Sequence, residues 1–294
     1  MFYHIKELQY EAKPSKPDPL YAKKLQEVLG GQYGEISVMM QYLFQGFNCR
    51  ADQKYKDLLH DIGTEEIGHV EMLATMIARL LDNAPVKEQE AAYQSDPALA
   101  AVMGGMNPQH AIVAGLGAMA ADSQGYPWNA KYIIASGNLM ADFRANLNAE
   151  SQGRLQVTRL YEMTDDRGVK DMLSFLIARD TYHQNMWLAA IKELEEREGD
   201  VVVPTTFPRS LEKQQVSYDL FNFSRGEESK EGRWAHGRSM DGKGEFRYIS
   251  APVVFGSAPK LKPAPKELYN TPKKVDQGLY LIGFFNVQEI FRTR

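Results

Sequence analysis

Five residues of this sequence pair a metal-binding side chain with the neighbours of a protein interior: Glu35, Glu66, His69, Glu150 and His183. At helical offsets, Glu35 has Val28, Val38, Met39 and Tyr42, and Glu66 has Ile62, Val70 and Leu73. Glu150 has Phe143, Leu147 and Val157, and His183 has Leu176, Met186 and Trp187. If these segments are helical, each residue lies on an apolar stripe. A carboxylate buried alone is strongly disfavoured, so three that converge in one interior call for cations. A dinuclear metal centre supplies them. A Glu on one helix and Glu-x-x-His on the next, repeated on a second helix pair, is the arrangement of carboxylate-bridged iron and manganese sites. The repeat departs from that pattern at Asp180, which stands three residues before His183 where a glutamate is expected. Its shorter side chain suits a proton-accepting base behind the ligands better than a ligand.

Three ligand carboxylates against two divalent cations leave a charge of about +1, which favours a bridging anion. Two metals that share a two-electron change can carry out two-electron redox chemistry without an outside reductant. Asp180, or water held by it, is placed to accept a proton lost on binding at the metals. Oxygen-rich ligands suit manganese and iron alike, and intrinsic affinity favours iron. A second acid-histidine pair, Asp57 and His60, has the same spacing, but Asp57 falls on the side of its helix opposite Glu66 and cannot face the same interior.

Four helices must position these groups. Asp18 and Pro19 read as a cap and first turn, and helical spacing of apolar residues runs from Leu20 to about Phe47. A short interruption at Asn48 to Asp52 precedes a second helix, Gln53 to Leu81, which Asn83 and Pro85 stop; so short a link folds it back antiparallel. From Asn83 to about Gly137 glycines and prolines, among them Gly104-Gly105, break any long period, apart from a short helix near Pro108 to Ala120. Asn138 to Thr164 and Val169 to Glu198 complete the set. Two helix pairs joined by one long crossover define an all-α, ferritin-like four-helix bundle over residues 1–198. Residues 199–294 read as an extended C-terminal tail with at most short strands, packing on neighbouring subunits.

The chain has 294 residues, 44% apolar and 24% charged, which is the composition of an ordinary globular protein. Its net charge of -4 comes without a basic block, which argues against nucleic acid as a partner. The N-terminus has no continuous apolar core, and the longest apolar stretch, Gly278 to Phe291, is too short to span a bilayer, so a cytoplasmic protein with no membrane partner is expected. One cysteine, Cys49, can form neither an internal disulfide nor an iron–sulfur module, which argues against a peroxidase fed electrons by such a module. A ferritin-like iron store and a coat-type structural protein with a vestigial site are the remaining alternatives.

The segments GGQYGEISVMMQYLFQGF, EEIGHVEMLATMIARLL, GNLMADFRANLNAESQGRLQVTRLYEMTDD and MLSFLIARDTYHQNMWLAAIKELE resemble the non-haem manganese catalases, closest to bacillar, spore-associated members. The resemblance runs from the N-terminus to about Gly256. It implies hydrogen peroxide as substrate and two manganese ions per subunit. Glu35 and Glu150 would each bind one ion, Glu66 would bridge them, and His69 and His183 would complete the shells. Tyr42 matches a phenol behind the ligands that tunes the bridging region. Some members carry an arginine where this chain has Ala149, which leaves Arg144, Asn148 and Arg179 as candidates to take over its role beside Asp180. Asp57 and Asp61, a like-charged pair four apart, and Asn222, Ser224 and Gly226, alternating on an extended tail, offer hard oxygen ligands of the kind calcium prefers. Members of the resembled family include hexamers with such a calcium site, so a calcium ion and a homo-oligomer, a hexamer, are expected here.

Overall fold

In the computed structural model of the chain, residues 4–84, 107–263 and 265 are described. The expected stop at Pro85, the Gly104-Gly105 break and the apolar stretch Gly278 to Phe291 lie outside them. The Asp18 carboxylate accepts from the Tyr21 backbone N–H at 2.9 Å and opens α1 (Pro19–Gly30). The single first helix expected from Leu20 to Phe47 is in fact two, because α1 stops and α2 (Glu35–Asn48) begins after a break at 31–34. Glycine is the reason. A Cβ on Gly30 would lie 2.4 Å from the Ala121 carbonyl oxygen, and one on Gly31 would lie 2.4 Å from that of Glu27. The crossover is seated where only glycine leaves room, and this closeness costs the helix its continuity. Both pieces pack on α3 (Gln53–Leu80), so the apolar pattern carries across the break.

The other boundaries follow their caps. α4 (Pro108–Ile112) is shorter than the helix expected through Ala120, because Gly115 (φ 58°) and Leu116 (φ 70°) turn the chain left-handed. The Asn138 side chain accepts from Ala141 N–H at 3.1 Å to begin α5 (Leu139–Glu162). Asp166 does the same for Val169 at 3.0 Å in α6 (Arg167–Glu198), which Gly199 ends at φ 63°. Helices α2 and α3 pack as one pair and α5 and α6 as the other. Their interior has two apolar layers. One gathers Leu25, Leu29, Met72, Met76, Val157, Val169 and Leu176, the other Val38, Leu59, Ile62, Phe143, Trp187 and Ile191. All five candidate ligands fall in sequence between the two layers, which makes the middle of the bundle a polar waist in an apolar rod.

The chain forms two compact units, 1–212 and 213–294. The first runs past the expected edge at 198 because residues 200–212 are tied down within it. Arg144 donates to the Val201 carbonyl, Asn138 Nδ2 donates to that of Pro204 at 3.0 Å, and Arg209 pairs with Asp200 at 2.9 Å. The second unit holds the short strands expected of the tail: β1 (Asp219–Phe221), β2 (His236–Arg238) and β3 (Glu245–Ile249). Their order is β1-β3-β2, with β1 parallel and β2 antiparallel to β3. No helix among the described residues is long and apolar enough to cross a membrane.

Candidate metal centre

Each ligand candidate reaches the waist from a different turn. Glu35 opens α2 directly after the glycine break, Glu66 and His69 stand one turn apart on α3, and Glu150 and His183 lie in the middle of α5 and α6. All five are buried. Ligand atoms of Glu35, Glu66 and His69 lie within 4.8 Å of one another, as do those of Glu66, Glu150 and His183. Glu66 belongs to both groups. Its Oε2 is 2.6 Å from His69 Nδ1 and its Oε1 2.9 Å from His183 Nδ1, so the carboxylate gives one oxygen to each side. Glu35 Oε2 lies 3.6 Å from His69 Nδ1, and Glu150 Oε1 3.5 Å from His183 Nδ1.

Several of these atoms lack the partners that burial demands. Glu66 Oε1, His183 Nδ1 and Asp180 Oδ2 are buried with no hydrogen-bond partner among the described residues. The approach of His183 Nδ1 to Glu66 Oε1 at 2.9 Å is close but not aligned as a hydrogen bond, in the middle of a cluster of carboxylate oxygens and imidazole nitrogens. That is the donor set of a cation site, and the residues fit a pair of metal ions.

Crowding governs the protonation of the cluster. Burial, and then the charge of Glu66, pushes the Glu35 carboxyl up to about 8. Burial also raises Glu150. Asp180 is held well above the carboxylate range by burial and by the charges of Glu35, Glu150 and Glu66. For Glu66 burial is outweighed by His69 and His183, which keep it below the usual range. Burial opposes a charge on His183 as well, yet the carboxylates of Glu150, Glu65 and Glu66 around its ring push it up to about 12. Protons on these groups compensate the negative charge that cations would otherwise neutralise.

Tyr42 is fully buried, donates to Glu150 Oε1 at 2.5 Å, and packs its ring 5.1 Å from that of Trp187. Burial and the Glu150 charge hold its phenol well above the ordinary range, so it remains a proton donor. The candidates for the missing arginine are committed elsewhere. Arg144 pairs with Glu195 at 2.8 Å, Arg179 with Glu65 at 2.6 Å, and Asn148 faces solvent. Asp180 thus stands behind the ligands without a cationic partner from any of the three.

Glu65 was not anticipated from the sequence. It accepts from Arg179 at 2.6 and 3.1 Å, from His183 Nε2 at 3.2 Å and from Gln9 Nε2 at 3.0 Å, and lies 3.6 Å from His69 Nε2. Burial opposes its charge, but His183, His69 and Arg179 hold it well below the usual carboxylate range. Its one sequence signal is the four-residue spacing to His69, which reads equally well as a surface pair.

Asp57 and Asp61 are both exposed, and Asp57 accepts from Gln53 Nε2 at 2.7 Å. His60, the partner of the decoy spacing, packs its ring 5.3 Å from that of Phe47. In the second unit, Asn222, Ser224 and Gly226 do not alternate along an extended chain as expected but close a turn. Asn222 Oδ1 accepts from the Ser224 N–H at 2.8 Å, and Asn222 Nδ2 donates to the Gly226 carbonyl at 3.0 Å. An asparagine side chain readily binds backbone two residues on, and here that preference wins over extension.

A ferritin-like bundle with carboxylates and histidines shared between two helix pairs at its waist defines the class of carboxylate-bridged metalloproteins. Within that class the chain belongs to the manganese-containing catalases, whose family profile matches residues 1–280. The match continues beyond Gly256, where the resemblance read from the sequence ends. The chain is 83% identical over 271 residues to an uncharacterized Bacillus subtilis protein, YjqC, covering 92% of this chain and 98% of that one. It is 65% identical to a manganese catalase of Bacillus subtilis with the same coverage. Among solved structures, the manganese catalase KatB from Anabaena matches with a TM-score of 0.67 at 28% identity, covering 86% of this chain and 100% of that one.

Proposed function

We propose that this chain disproportionates hydrogen peroxide to water and oxygen at two manganese ions. Glu35 and His69 would hold one ion, Glu150 and His183 the other, and Glu66, common to both groups, would serve both. The observation that carries the reading is the overlap of two buried three-residue groups in one glutamate, within a chain of the manganese catalase family. When bound, a manganese pair supplies a two-electron couple that can oxidise one peroxide and reduce the next. The protein's own residues do the rest. The apolar layers above and below exclude bulk water, and Tyr42 fixes the orientation of one Glu150 oxygen. With the charges of Glu35, Glu150 and Glu66 neutralised by cations instead of protons, Asp180, buried and with Oδ2 unpartnered among the described residues, would ionise, accept a proton of the incoming peroxide and return it to the departing water.

The same reading includes a cytoplasmic location, a homo-oligomer, a hexamer, joined in part by residues after Gly199, and a calcium ion, for which Asp57 and Asp61 in the first unit and Asn222, Ser224 and Gly226 in the second each offer oxygen donors. Two features support the calcium ion: a like-charged exposed pair on α3 and several oxygens gathered in one turn of the second unit. Elemental analysis with an oxygen electrode tests the main claim; the expected result is about two manganese atoms per chain and oxygen evolved without an electron donor. Manganese-loaded protein that evolves no oxygen overturns it, and iron loading with ferroxidase activity points to storage. Solution mass and calcium content of Asp57→Ser, and of a chain ended before Asn222, test the rest. Unchanged values in both variants would make the acidic face ordinary surface.

A further inference from the structure

An imidazole binds a metal only through a nitrogen that carries no proton, and the partner of the other nitrogen decides which one that is. Both histidines of the centre turn Nδ1 inward to Glu66 and Nε2 outward to the same residue, Glu65: His183 Nε2 is hydrogen-bonded to it at 3.2 Å, and His69 Nε2 lies 3.6 Å away, close but beyond a hydrogen bond. An ionised carboxylate only accepts, so Glu65 favours the hydrogen on Nε2, and Nδ1, which faces Glu66 on the inside, is the nitrogen that would give up its hydrogen to a metal. Glu65 can serve both rings because it sits one turn before His69 on α3 and faces α6, which carries His183. The rings themselves are nearly parallel, with centroids 5.8 Å apart and planes at 27°.

Something must hold Glu65 there, since it is the most exposed member of the group at 18% of its side chain. Arg179 grips both oxygens through Nε and Nη2, a two-point contact that fixes the carboxylate plane. Arg179 in turn lies over the Tyr182 ring, 5.1 Å from its centre. From outside, Gln9 donates to Glu65 Oε1. The segment that carries Gln9 is itself anchored: Tyr10 stacks on Phe175 at 4.6 Å, Arg79 donates to the Ala12 carbonyl at 2.8 Å, and Asp166 accepts from the Ser15 N–H at 2.8 Å. Gly68 makes room for it, because a Cβ there would stand 2.9 Å from Gln9 Oε1.

We propose that Glu65, locked by Arg179 and covered by Gln9 of the N-terminal segment, is the positioning residue that presents both histidines to the metals. This rests on the reading of His69 and His183 as manganese ligands. It differs from the roles of Tyr42 and Asp180, because one residue outside the ligand set governs both halves of the centre at once.

The test is manganese binding, followed by the paramagnetic resonance of free and bound Mn(II), in wild type and in Glu65→Gln, Arg179→Lys and Gln9→Ala. An amide at position 65 presents one acceptor in place of two and loses its charge. Glu65→Gln is therefore expected to weaken both bound ions by roughly 10–100-fold, the usual cost of losing an orienting partner, and to change the resonance of the pair that remains. Arg179→Lys keeps the charge and loses the fork, so its loss is smaller, and that of Gln9→Ala is the smallest. Melting of the chelated proteins separates positioning from folding; Glu65→Gln should lose affinity with its metal-free melting temperature unchanged. If that variant melts early, Arg179→Lys decides the matter by the same two readouts. Wild-type affinity and resonance in a folded Glu65→Gln overturn the inference, as does weakening of one ion only. A wild-type protein that binds no manganese would instead overturn the proposed function.

Discussion

The two halves of the centre use the same donor types and hold them by different means. On one side Glu35 stands at the first turn of a helix that begins only because three nearby glycines, Gly30, Gly31 and Gly34, interrupt the chain. No tyrosine among the described residues is hydrogen-bonded to it, and its carboxyl is pushed up to about 8. On the other side Glu150 lies in an unbroken helix, with Tyr42 bonded to one oxygen and Trp187 and Phe143 packed behind, their rings 5.1 Å apart. A backbone break positions one proposed ligand and aromatic packing positions the other. Equivalent residues therefore need not respond equally when their surroundings change.

Removing what the halves share gives the largest effect. Glu66→Ala should lose both ions together, with oxygen evolution down by on the order of 10³-fold or more, measured by metal analysis and oxygen electrode. Loss of a single ion would show that Glu66 serves one half. Asp180→Asn comes next: it should keep both ions and lose rate by roughly 10²–10⁴-fold, the range for a proton acceptor. Metal loss equal to that of Glu66→Ala would make Asp180 a ligand. Tyr42→Phe sharpens the asymmetry, since it touches Glu150 and not Glu35; we expect one ion to weaken by about 10-fold and the other to hold, read by stepwise manganese titration. Equal weakening of both would erase the distinction between the halves.

The smallest expected effect is on the pH dependence of the chelated protein. Glu35 holds its proton more tightly in the folded chain, so the stability it contributes is fully present below pH 4.5 and is lost as pH rises toward about 8. His183, raised from 6.5 to about 12, works in the same direction above pH 6.5. The melting temperature of the chelated protein should therefore fall as pH rises through this window, and Glu35→Gln should flatten the slope between pH 4.5 and 8. An unchanged slope in that variant would show that Glu35 is not the asymmetric member.

Residue types and local spacing were enough to read the four bundle segments, the Asp18 cap and the five waist residues that now cluster in space. Each of those signals repeats within one helix, and a helix imposes its period on its own sequence. The break before Glu35 escaped because the apolar period runs through it, and the close approach of the Ala121 carbonyl that a glycine at position 30 permits is made by the distant crossover. Glu65 escaped for a related reason. Its partner Arg179 lies 114 positions away, and no pattern within α3 distinguishes a glutamate held from another helix from one facing solvent. Tyr42 and Glu150, 108 positions apart, meet only in the fold; the family resemblance set Tyr42 behind the ligands without naming its partner. Local sequence thus determined which helices form and which of their faces are buried. The tertiary structure alone decided which charges meet across those faces, because hydrogen bonds and ion pairs between helices depend on register and separation, which no single helix encodes.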